Sequence, residues 1–425
     1  MRLLPIALVV SALALANMPA DAEASRYVRF GVQDDAWLAA GPGSLSNRLD
    51  ELDRLGVEVY RFTLRWDQVV PRKPANGRNP GDSAYEWAFA DAVINGLRAR
   101  GIAPIVTIWG TPRWANGGRT PNWAPTSNVW LASFAHAAAL RYESDVNHWT
   151  IWNEPNKRMF FRPVSAQRYT SLLNAAYRAI KSADRRAMVA GGVTGPRGGS
   201  GGMSPVDFIR GMGRSRARLD AYAHNPYPLS RRQTPWKGGC GHCETITMAS
   251  LERLIREVRR AFGNKRIWLT EYGYQTNPPD RLLGVSYRTQ VRYMSEAARR
   301  VYRAPFVDFL IHFMVRDDTS RGGWQSGFRT TTGRRKPSDR TWALPLAQVS
   351  RRGLRTVAWG QVRDRTGRQP YRLQQWRNED WHWVGPKRWT DARGFYRRVL
   401  RAGPRSRLRV FSFLDRTYSG IVDVR

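Results

Sequence analysis

Short apolar runs alternate with amphipathic stretches over the first 345 residues of the chain. Apolar residues recur at helical spacing in five stretches, 84–100, 129–142, 166–182, 248–262 and 287–302. Eight other runs have the length and composition of buried strands, at 28–33, 57–64, 102–109, 147–152, 188–193, 219–224, 267–271 and 306–314. Strands that alternate with helices are typical of βαβ units around a parallel sheet. The pattern predicts an α/β fold, a (β/α)8 TIM barrel spanning residues 25–345.

The pattern changes in the last part of the chain. Residues 351–425 lack a helical period and show alternating runs at 356–362, 371–376, 395–400 and 408–413, separated by turn sequences. This spacing predicts a small C-terminal all-β sandwich domain. Five tryptophans lie in it, at 359, 376, 381, 383 and 389. Tryptophans beside arginines can bind sugar rings or polyanions, but alternating aromatic residues more often face a sandwich core, and we expect core positions here.

The first 24 residues have the composition of a secretory signal peptide. Arg2 precedes an apolar run at 3–16, and small residues offer a cleavage site near Ala22 or Ala24. The run is shorter than the roughly 20 residues that a membrane-spanning helix needs, and no comparable run follows. We therefore expect a secreted protein without a membrane span.

The charge of the chain is strongly positive, with 69 Lys and Arg against 34 Asp and Glu, a formal net charge of +35. Residues 351–425 contain 19 Lys and Arg against 6 Asp and Glu, a net +13. Such an excess favours association with an anionic cell-wall polymer or an acidic glycan, for which the C-terminal domain would be an electrostatic anchor. The alternative is a solvated, arginine-rich surface without a specific partner. We expect no nucleic-acid partner, because no recognised binding motif is present.

The chain has two cysteines, Cys240 and Cys243, in a Cys-x-x-Cys sequence. A redox-active pair of this kind opens a helix after a strand, whereas this pair lies in a loop rich in glycine and proline. A structural disulfide is the expected state in an oxidising compartment, and thiol redox chemistry is the alternative. A metal site is disfavoured, because no fourth ligand is evident near the two cysteines and His242.

Two glutamates end predicted strands among aromatic residues. Glu154 lies in Trp-Asn-Glu-Pro-Asn at 152–156, and Glu271 lies in Thr-Glu-Tyr-Gly-Tyr at 270–274. Barrel active sites lie at the carboxyl ends of the strands, so both side chains should reach one face. Two carboxyls across a glycosidic bond are the groups that cleave it, and an apolar wall raises the pKa of the one that must hold a proton. The pair predicts glycoside cleavage.

Together with Trp-Gly-Thr-Pro-Arg-Trp at 109–114, these motifs resemble the clan of retaining glycoside hydrolases built on a (β/α)8 barrel. They are most similar to secreted bacterial β-xylosidase-like and cellulase-like members, over about residues 27–344. The resemblance implies that Glu154, after strand 4, is the general acid/base and that Glu271, ending strand 7, is the nucleophile. It also implies double displacement on a carbohydrate, with β linkage expected, and no metal or organic cofactor.

Further site residues follow from the same resemblance. Asn153 should bind the sugar 2-hydroxyl, and Arg61 should keep Glu271 ionised by its charge. Either His224 or Tyr227 should hydrogen-bond the nucleophile, and the sequence leaves that choice open.

Tryptophans are candidates for stacking on sugar rings, with core packing as the alternative for each. Trp109 and Trp114 belong to the 109–114 motif. Clan members usually end strand 8 with a tryptophan, whereas this chain has Phe313 and Met314 there. Trp324, in the loop that follows, is the candidate substitute.

The main alternative function is a catalytically inactive glycan-binding or cell-wall-binding protein on the same barrel. A further alternative, a secreted thiol oxidoreductase, is supported by the cysteine pair alone. We expect a monomer, and the sequence does not specify the sugar, the linkage or the mode of attack.

Overall fold

The computed structural model describes residues 27–240, 243–320, 322–363 and 367–425, so the predicted signal peptide lies outside the described residues. Eight parallel strands close into a barrel in chain order, with the eighth paired to the first. They are β1 Arg29–Gln33, β2 Val59–Arg65, β3 Ala103–Trp109, β4 His148–Ile151, β5 Met188–Thr194, β6 Ala221–His224, β7 Arg266–Tyr272 and β8 Val307–Phe313. The predicted barrel is confirmed, with strand ends within two residues of the expected ones.

Helices surround the barrel. They are α1 Asp35–Ala40, α2 Leu45–Arg54, α3 Trp66–Val69, α4 Ala88–Ala99, α5 Asn128–Arg141, α6 Ala166–Ala183, α7 Pro205–Arg214, α8 Leu251–Phe262, α9 Tyr287–Arg303 and α10 Pro337–Ala343. The five predicted helices are α4, α5, α6, α8 and α9. Ser165 caps α6 by accepting a hydrogen bond from the backbone N–H of Arg168 at 3.1 Å. No helix within the described ranges is long and apolar enough to cross a membrane.

Side chains alternate between the two faces of each strand, so every second residue of a barrel strand points into the interior. Val59, Ile105, Trp268 and Phe309 form a buried apolar cluster of strand residues. Two positions after Val59, the same face of β2 carries Arg61, which is fully buried. The alternation that places Val59 in this cluster thus also places Arg61 inside the barrel, nearer its carboxyl end.

The C-terminal part forms two antiparallel sheets and confirms the predicted β-sandwich. One sheet has the order β13-β10-β9, and the other the order β12-β11-β14-β15 with β16 paired to β14. The strands are β9 Leu346–Arg352, β10 Arg355–Gln361, β11 Pro370–Arg377, β12 Asp380–Trp389, β13 Phe395–Arg401, β14 Arg407–Ser412, β15 Thr417–Tyr418 and β16 Val422–Asp423. The first strand begins at Leu346, five residues before the predicted start of this domain at residue 351.

The tryptophans of this domain do not follow the core prediction. Trp359 is 4% exposed, but it belongs to the core cluster of the barrel, where its ring lies 5.3 Å from that of Tyr302 on α9. Trp383 and Trp389 are 38% and 54% exposed, so the predicted place in the sandwich core is wrong for all three. Trp383 and Trp389 lie on β12, an edge strand whose residues are exposed or half-buried throughout. This strand lacks the apolar alternation that marks a half-buried strand, which is why the sequence did not predict it.

An arginine joins the two domains. Arg363, just after β10, is buried, and its guanidinium lies 3.7 Å from the ring centre of Phe30 and 4.6 Å from that of Trp342. Its Nη1 donates to the carbonyl of Trp342 at 3.0 Å. Burial lowers the pKa of Arg363 to about 9. Barrel and sandwich therefore share a packed interface at β1 and α10.

Candidate active site

Glu154 reaches the carboxyl end of the barrel through a left-handed turn. Trp152 and Glu154 have φ values of 71° and 41°, a region that residues other than glycine adopt infrequently. The backbone N–H of Glu154 donates to the carbonyl of Val193 at 2.9 Å, which ties the turn to the end of β5. Gly195 leaves room for the carboxyl, since a Cβ there would lie 2.8 Å from Glu154 Oε1. Glu154 is buried as a result, at 4% exposure.

The partners of Glu154 differ from the apolar, aromatic wall that we predicted. Asn225 Nδ2 donates to its Oε1 at 3.2 Å, and the ammonium of Lys157 lies 2.6 Å from its Oε2. Trp152 is fully buried, packs on Phe161 and donates its indole N–H to the carbonyl of Phe160. The turn directs this tryptophan into the core, so an amide and an ammonium, not indole, contact the carboxyl.

Glu271 is aimed into the barrel by an irregularity in β7. The alternation of the strand places Thr270 inward, where its hydroxyl donates to Asn225 Oδ1 at 2.7 Å. The pairing register of β7 with β8 shifts between Leu269 and Tyr272. Such a shift re-aims a side chain, and here the residue after Thr270 also turns toward the site.

Arg61 and Tyr227 hold the two oxygens of Glu271. Arg61 Nη1 lies 2.6 Å from Oε1, and the hydroxyl of Tyr227 donates to Oε2 at 3.1 Å. Burial raises the pKa of Glu271, and the nearby charge of Glu154 adds to that rise, whereas Arg61 and Tyr227 oppose it. Arg61 therefore acts in the direction that we predicted, but burial outweighs it.

Arg61 connects four elements of the barrel. Besides Glu271, it donates to Gln33 Oε1 at 2.6 Å, to Thr107 Oγ1 at 2.9 Å and to Asn153 Oδ1 at 3.0 Å. Because the oxygen of Asn153 faces Arg61, its Nδ2 points elsewhere and can donate to a ligand. This orientation fits the predicted contact of Asn153 with a sugar hydroxyl.

Asn225 is a site residue that the sequence analysis missed. Its Nδ2 donates to Glu154, and its Oδ1 accepts from Thr270, the neighbour of Glu271. One amide side chain thus links Glu154 to the hydroxyl of Thr270, the residue before Glu271. The signal was available, since Asn225 lies at the end of β6 between His224 and Tyr227, which we had singled out.

The structure decides between His224 and Tyr227. His224 is fully buried, with Nδ1 2.8 Å from Thr194 Oγ1 and Nε2 3.0 Å from the carbonyl of Ile246. Burial lowers its pKa to about 4. Both ring nitrogens are occupied by protein groups, so the assignment of His224 to substrate binding is wrong. Tyr227 makes the contact with Glu271.

Trp324 lies beside this contact, where the sequence predicted a substitute for the missing strand tryptophan. Its ring stacks on Tyr227 with 4.4 Å between centroids and meets Phe313 edge-on at 6.1 Å. The loop that carries it is pinned by a buried ion pair, Lys336 Nζ to Asp317 Oδ2 at 2.6 Å. The structure thus brings Trp324 to the site, and its contact with a sugar stays a prediction.

The two tryptophans of the 109–114 motif differ in their surroundings. Trp109, at the end of β3, lies under the guanidinium of Arg65 at 4.8 Å, and its buried Nε1 has no hydrogen-bond partner among the described residues. Buried donors usually have a hydrogen-bond acceptor, so this N–H is available to an acceptor on a ligand. Trp114 instead donates to the carbonyl of Val70 at 2.8 Å and packs on Trp66, so its indole N–H is engaged by the protein.

Cys240 and Cys243 form a disulfide in the loop between β6 and α8, which agrees with the predicted pairing. Across the described residues, no group of three or more His, Cys, Asp or Glu side chains is arranged to hold a metal ion.

Comparisons with known proteins agree with this architecture. Residues 44–178 match the family model of Glycosyl hydrolase family 1, a segment that contains Arg61 and Glu154 but not Glu271. A curated relative, probable inactive beta-glucosidase 14 of Oryza sativa subsp. japonica, is 29% identical over 116 residues, which are 27% of this chain and 22% of the relative. The chain thus spans about a fifth of the length of the curated relatives that it matches.

The likeness to solved structures covers most of the chain. A family 39 glycoside hydrolase from Bacteroides cellulosilyticus WH2 superposes with a TM-score of 0.61 at 17% identity, over 90% of this chain and 80% of that one. A family 39 β-xylosidase from Caulobacter crescentus gives a TM-score of 0.56 at 19% identity, over 82% of each chain. The chain therefore has the fold of these two glycoside hydrolases over most of its length.

Proposed function

We propose that this protein is a secreted retaining glycoside hydrolase that cleaves β-linked glycans by double displacement, with Glu271 as nucleophile and Glu154 as acid/base. The observation that carries the proposal is the single hydrogen-bond network that joins the two buried carboxyls through Asn225, Asn153 and Arg61. Glu154 also lies close enough to Glu271 for its charge to raise the pKa of that carboxyl, as expected of two carboxyls that flank one glycosidic bond.

In the first step, Glu271 attacks the anomeric carbon as a carboxylate, and Glu154 gives its proton to the departing glycosidic oxygen. Arg61 and Tyr227 hold the two oxygens of Glu271 and so fix the orientation of the nucleophile. The Nδ2 of Asn153 is free to donate to the sugar 2-hydroxyl, a bond that strengthens as the oxocarbenium-like transition state forms.

In the second step, Glu154 takes a proton from water, which releases the sugar from Glu271. The donors that contact Glu154, Asn225 and Lys157, suit its carboxylate form, which is the base of this step. For the first step Lys157, whose side chain is 22% exposed, has to turn toward solvent when the carboxyl is protonated.

A test of the proposal is to trap the intermediate. A 2-fluoro glycoside with a good leaving group should inactivate the protein, because fluorine slows both steps and the covalent ester accumulates. Peptide mapping should find the adduct on Glu271, and NMR of a turned-over substrate should show retained anomeric configuration. A label on another carboxyl, or inversion, contradicts the double displacement.

A second candidate is a glycan-binding barrel without catalysis. It is favoured by the ion pair between Lys157 and Glu154, and by the curated relative whose name describes it as probably inactive. Turnover on a panel of aryl β-glycosides and β-linked polysaccharides separates the two candidates.

Replacing Tyr227 by Phe should move the acid limb of kcat/KM to higher pH by about one to two units. Glu271 attacks only as a carboxylate, so activity rises with pH through its pKa, and loss of the donor raises that pKa further. The size follows from about 1.5–3 kcal/mol for a hydrogen bond to a charged group and 1.36 kcal/mol per pKa unit. The measurement is a pH profile of each protein.

Tyr177→Phe is the matched control for this variant. The hydroxyl of Tyr177 also donates to a carboxylate at 3.1 Å, that of Asp220, but on the outside of the barrel. Its profile should coincide with that of the parent. An unmoved limb in Tyr227→Phe would show that this tyrosine does not tune the nucleophile.

A further inference from the structure

The outer face of one C-terminal sheet carries an unusual set of side chains. Cross-strand pairs place Trp383 and Arg409 on either side of Gln374, Trp381 opposite Trp376, and Phe411 opposite Arg372. Because alternate residues share a face, these side chains lie together on one side of β12, β11 and β14. The other side supplies apolar residues to the sandwich core, such as Leu373 and Val410.

Guanidinium groups and rings alternate across this face. Arg409 lies 4.1 Å from the ring centre of Trp381 and 3.8 Å from that of Tyr418, and Arg372 lies 4.8 Å from that of Trp383. Phe411 contacts Trp383 at 5.8 Å. We call this layer the Trp–Arg face, made of Arg372, Trp381, Trp383, Arg409, Phe411 and Tyr418. With Trp383 38% exposed, the layer presents both ring surface and positive charge to solvent.

A groove of about 700 Å³ continues from this face onto the barrel. We call it the basic groove, because six cations line it against the carboxylate of Asp339: Arg288, Arg335, Lys336, Arg340, Arg407 and Arg409. Several of these cations are already paired, Arg288 with Asp423, Arg335 with Asp339 and Lys336 with Asp317. Within the described ranges, no carboxylate oxygen lies within 4.0 Å of the guanidinium of Arg340 or Arg407.

The basic groove opens toward the carboxyl end of the barrel. It is lined by Tyr287 and Pro337, the first residues of α9 and α10. Helices of a (β/α)8 barrel begin at the end where its active site lies. Lys336, which pins the loop of Trp324, lines the groove as well.

We propose that the Trp–Arg face and the basic groove form one binding site for an acidic polysaccharide whose pyranose rings carry carboxylates. Trp383 offers a ring on which a sugar can stack. The guanidinium groups of Arg340 and Arg407 can each donate two hydrogen bonds to a carboxylate of the ligand. A ligand that combines rings and anions matches the alternation of the surface, whereas a neutral glycan leaves the cations unused. Binding at this site does not depend on the proposed hydrolysis.

The test measures binding of the full-length protein to polygalacturonate, with neutral xylan, dextran sulfate and inorganic polyphosphate as comparison polymers. The double variant Arg340→Gln/Arg407→Gln should bind polygalacturonate at least about tenfold more weakly, since a charged hydrogen bond is worth about that much. Arg185→Gln/Arg186→Gln, which removes the same charge from the exposed turn before β5, is the control and should lose little affinity.

Trp383→Ala should weaken polygalacturonate binding by about tenfold and leave polyphosphate binding unchanged, because polyphosphate has charges but no rings. Trp383→Phe, which keeps a ring, should restore most of the loss. If Trp383→Ala lowers only the melting temperature and leaves binding intact, the Trp–Arg face is a structural cover for the sheet and the proposal fails.

Other outcomes also overturn the proposal. Absence of binding to polygalacturonate, or equal losses in the two arginine double variants, would assign the interaction to net charge alone. Tighter binding to dextran sulfate than to polygalacturonate would replace carboxylates by sulfates as the recognised group. These measurements read binding alone, so they stand whether or not the proposed hydrolysis is found.

Discussion

Glu271→Gln should lower kcat/KM on β-glycosides by about 10⁴-fold or more, because loss of a nucleophile removes the covalent route and leaves little catalysis behind. The amide keeps the size of the side chain but cannot form the glycosyl ester. Arg61 would then be buried without its carboxylate, so the melting temperature must be measured alongside activity.

Glu257→Gln is the matched control for this substitution. Glu257 is also a buried glutamate paired with an arginine, Arg210 at 3.1 Å, but it lies on α8. It should retain activity close to that of the parent. If Glu271→Gln keeps a tenth of the activity or more, the nucleophile is another group.

Glu154→Ala should affect substrates according to their leaving groups. Glycosides with poor leaving groups should lose about 10²–10⁴-fold in rate, the usual contribution of a general acid, whereas activated aryl glycosides should lose far less in the first step. Added azide should restore turnover of the activated substrates and give a glycosyl azide of retained configuration. Hydrolysis rates across a series of aryl leaving groups measure the effect.

For this variant, Glu252→Ala is the control, since Glu252 is an exposed partner of Arg300 outside the site. Its rates should show the leaving-group dependence of the parent. Equal losses on all substrates in Glu154→Ala, without an azide effect, would mean that Glu154 does not protonate the leaving group.

The positions of the two glutamates were predictable because strand ends can be found from local patterns. A run of apolar residues that stops at Glu154 or Glu271 marks the end of a strand, and all parallel strands of a barrel end on the same face. The pairing of Arg61 with Glu271 was expected from the resemblance to the clan, whereas the pattern alone indicates only that a charged residue inside an apolar strand needs a buried partner.

The contacts between strands were not predictable in the same way. Asn225 and Gln33 reach the network through bonds to residues 71 and 28 positions away, which no local pattern reports. Glu271 faces inward because of a register shift between β7 and β8, whereas simple alternation puts it on the face opposite Thr270. The ion pair of Glu154 with Lys157 depends on a left-handed turn at Trp152 and Glu154. The prediction assumed that apolar side chains surround Glu154 and did not foresee this turn.

The exposed tryptophans of β12 illustrate a second limit. Two tryptophans two residues apart look the same in sequence whether another layer covers them or not. What decides is the face of the sheet on which they lie, and Trp383 lies on the face opposite Leu373 and Val410 of the sandwich core. Trp359 is buried because its ring packs against Tyr302 of α9.

The tryptophan beside Tyr227 and the proposed nucleophile comes from a loop and not from a barrel strand. A strand residue cannot move without a change in the register of the closed sheet. The loop of Trp324 is instead fixed to the barrel on both sides of the tryptophan, because Asp317 pairs with Lys336 at its base and the buried Phe328 packs on His312. A substitution at Trp324 can therefore change the ring that lies beside Tyr227 without a change in strand register, whereas a substitution at Phe328 disturbs the core of the barrel.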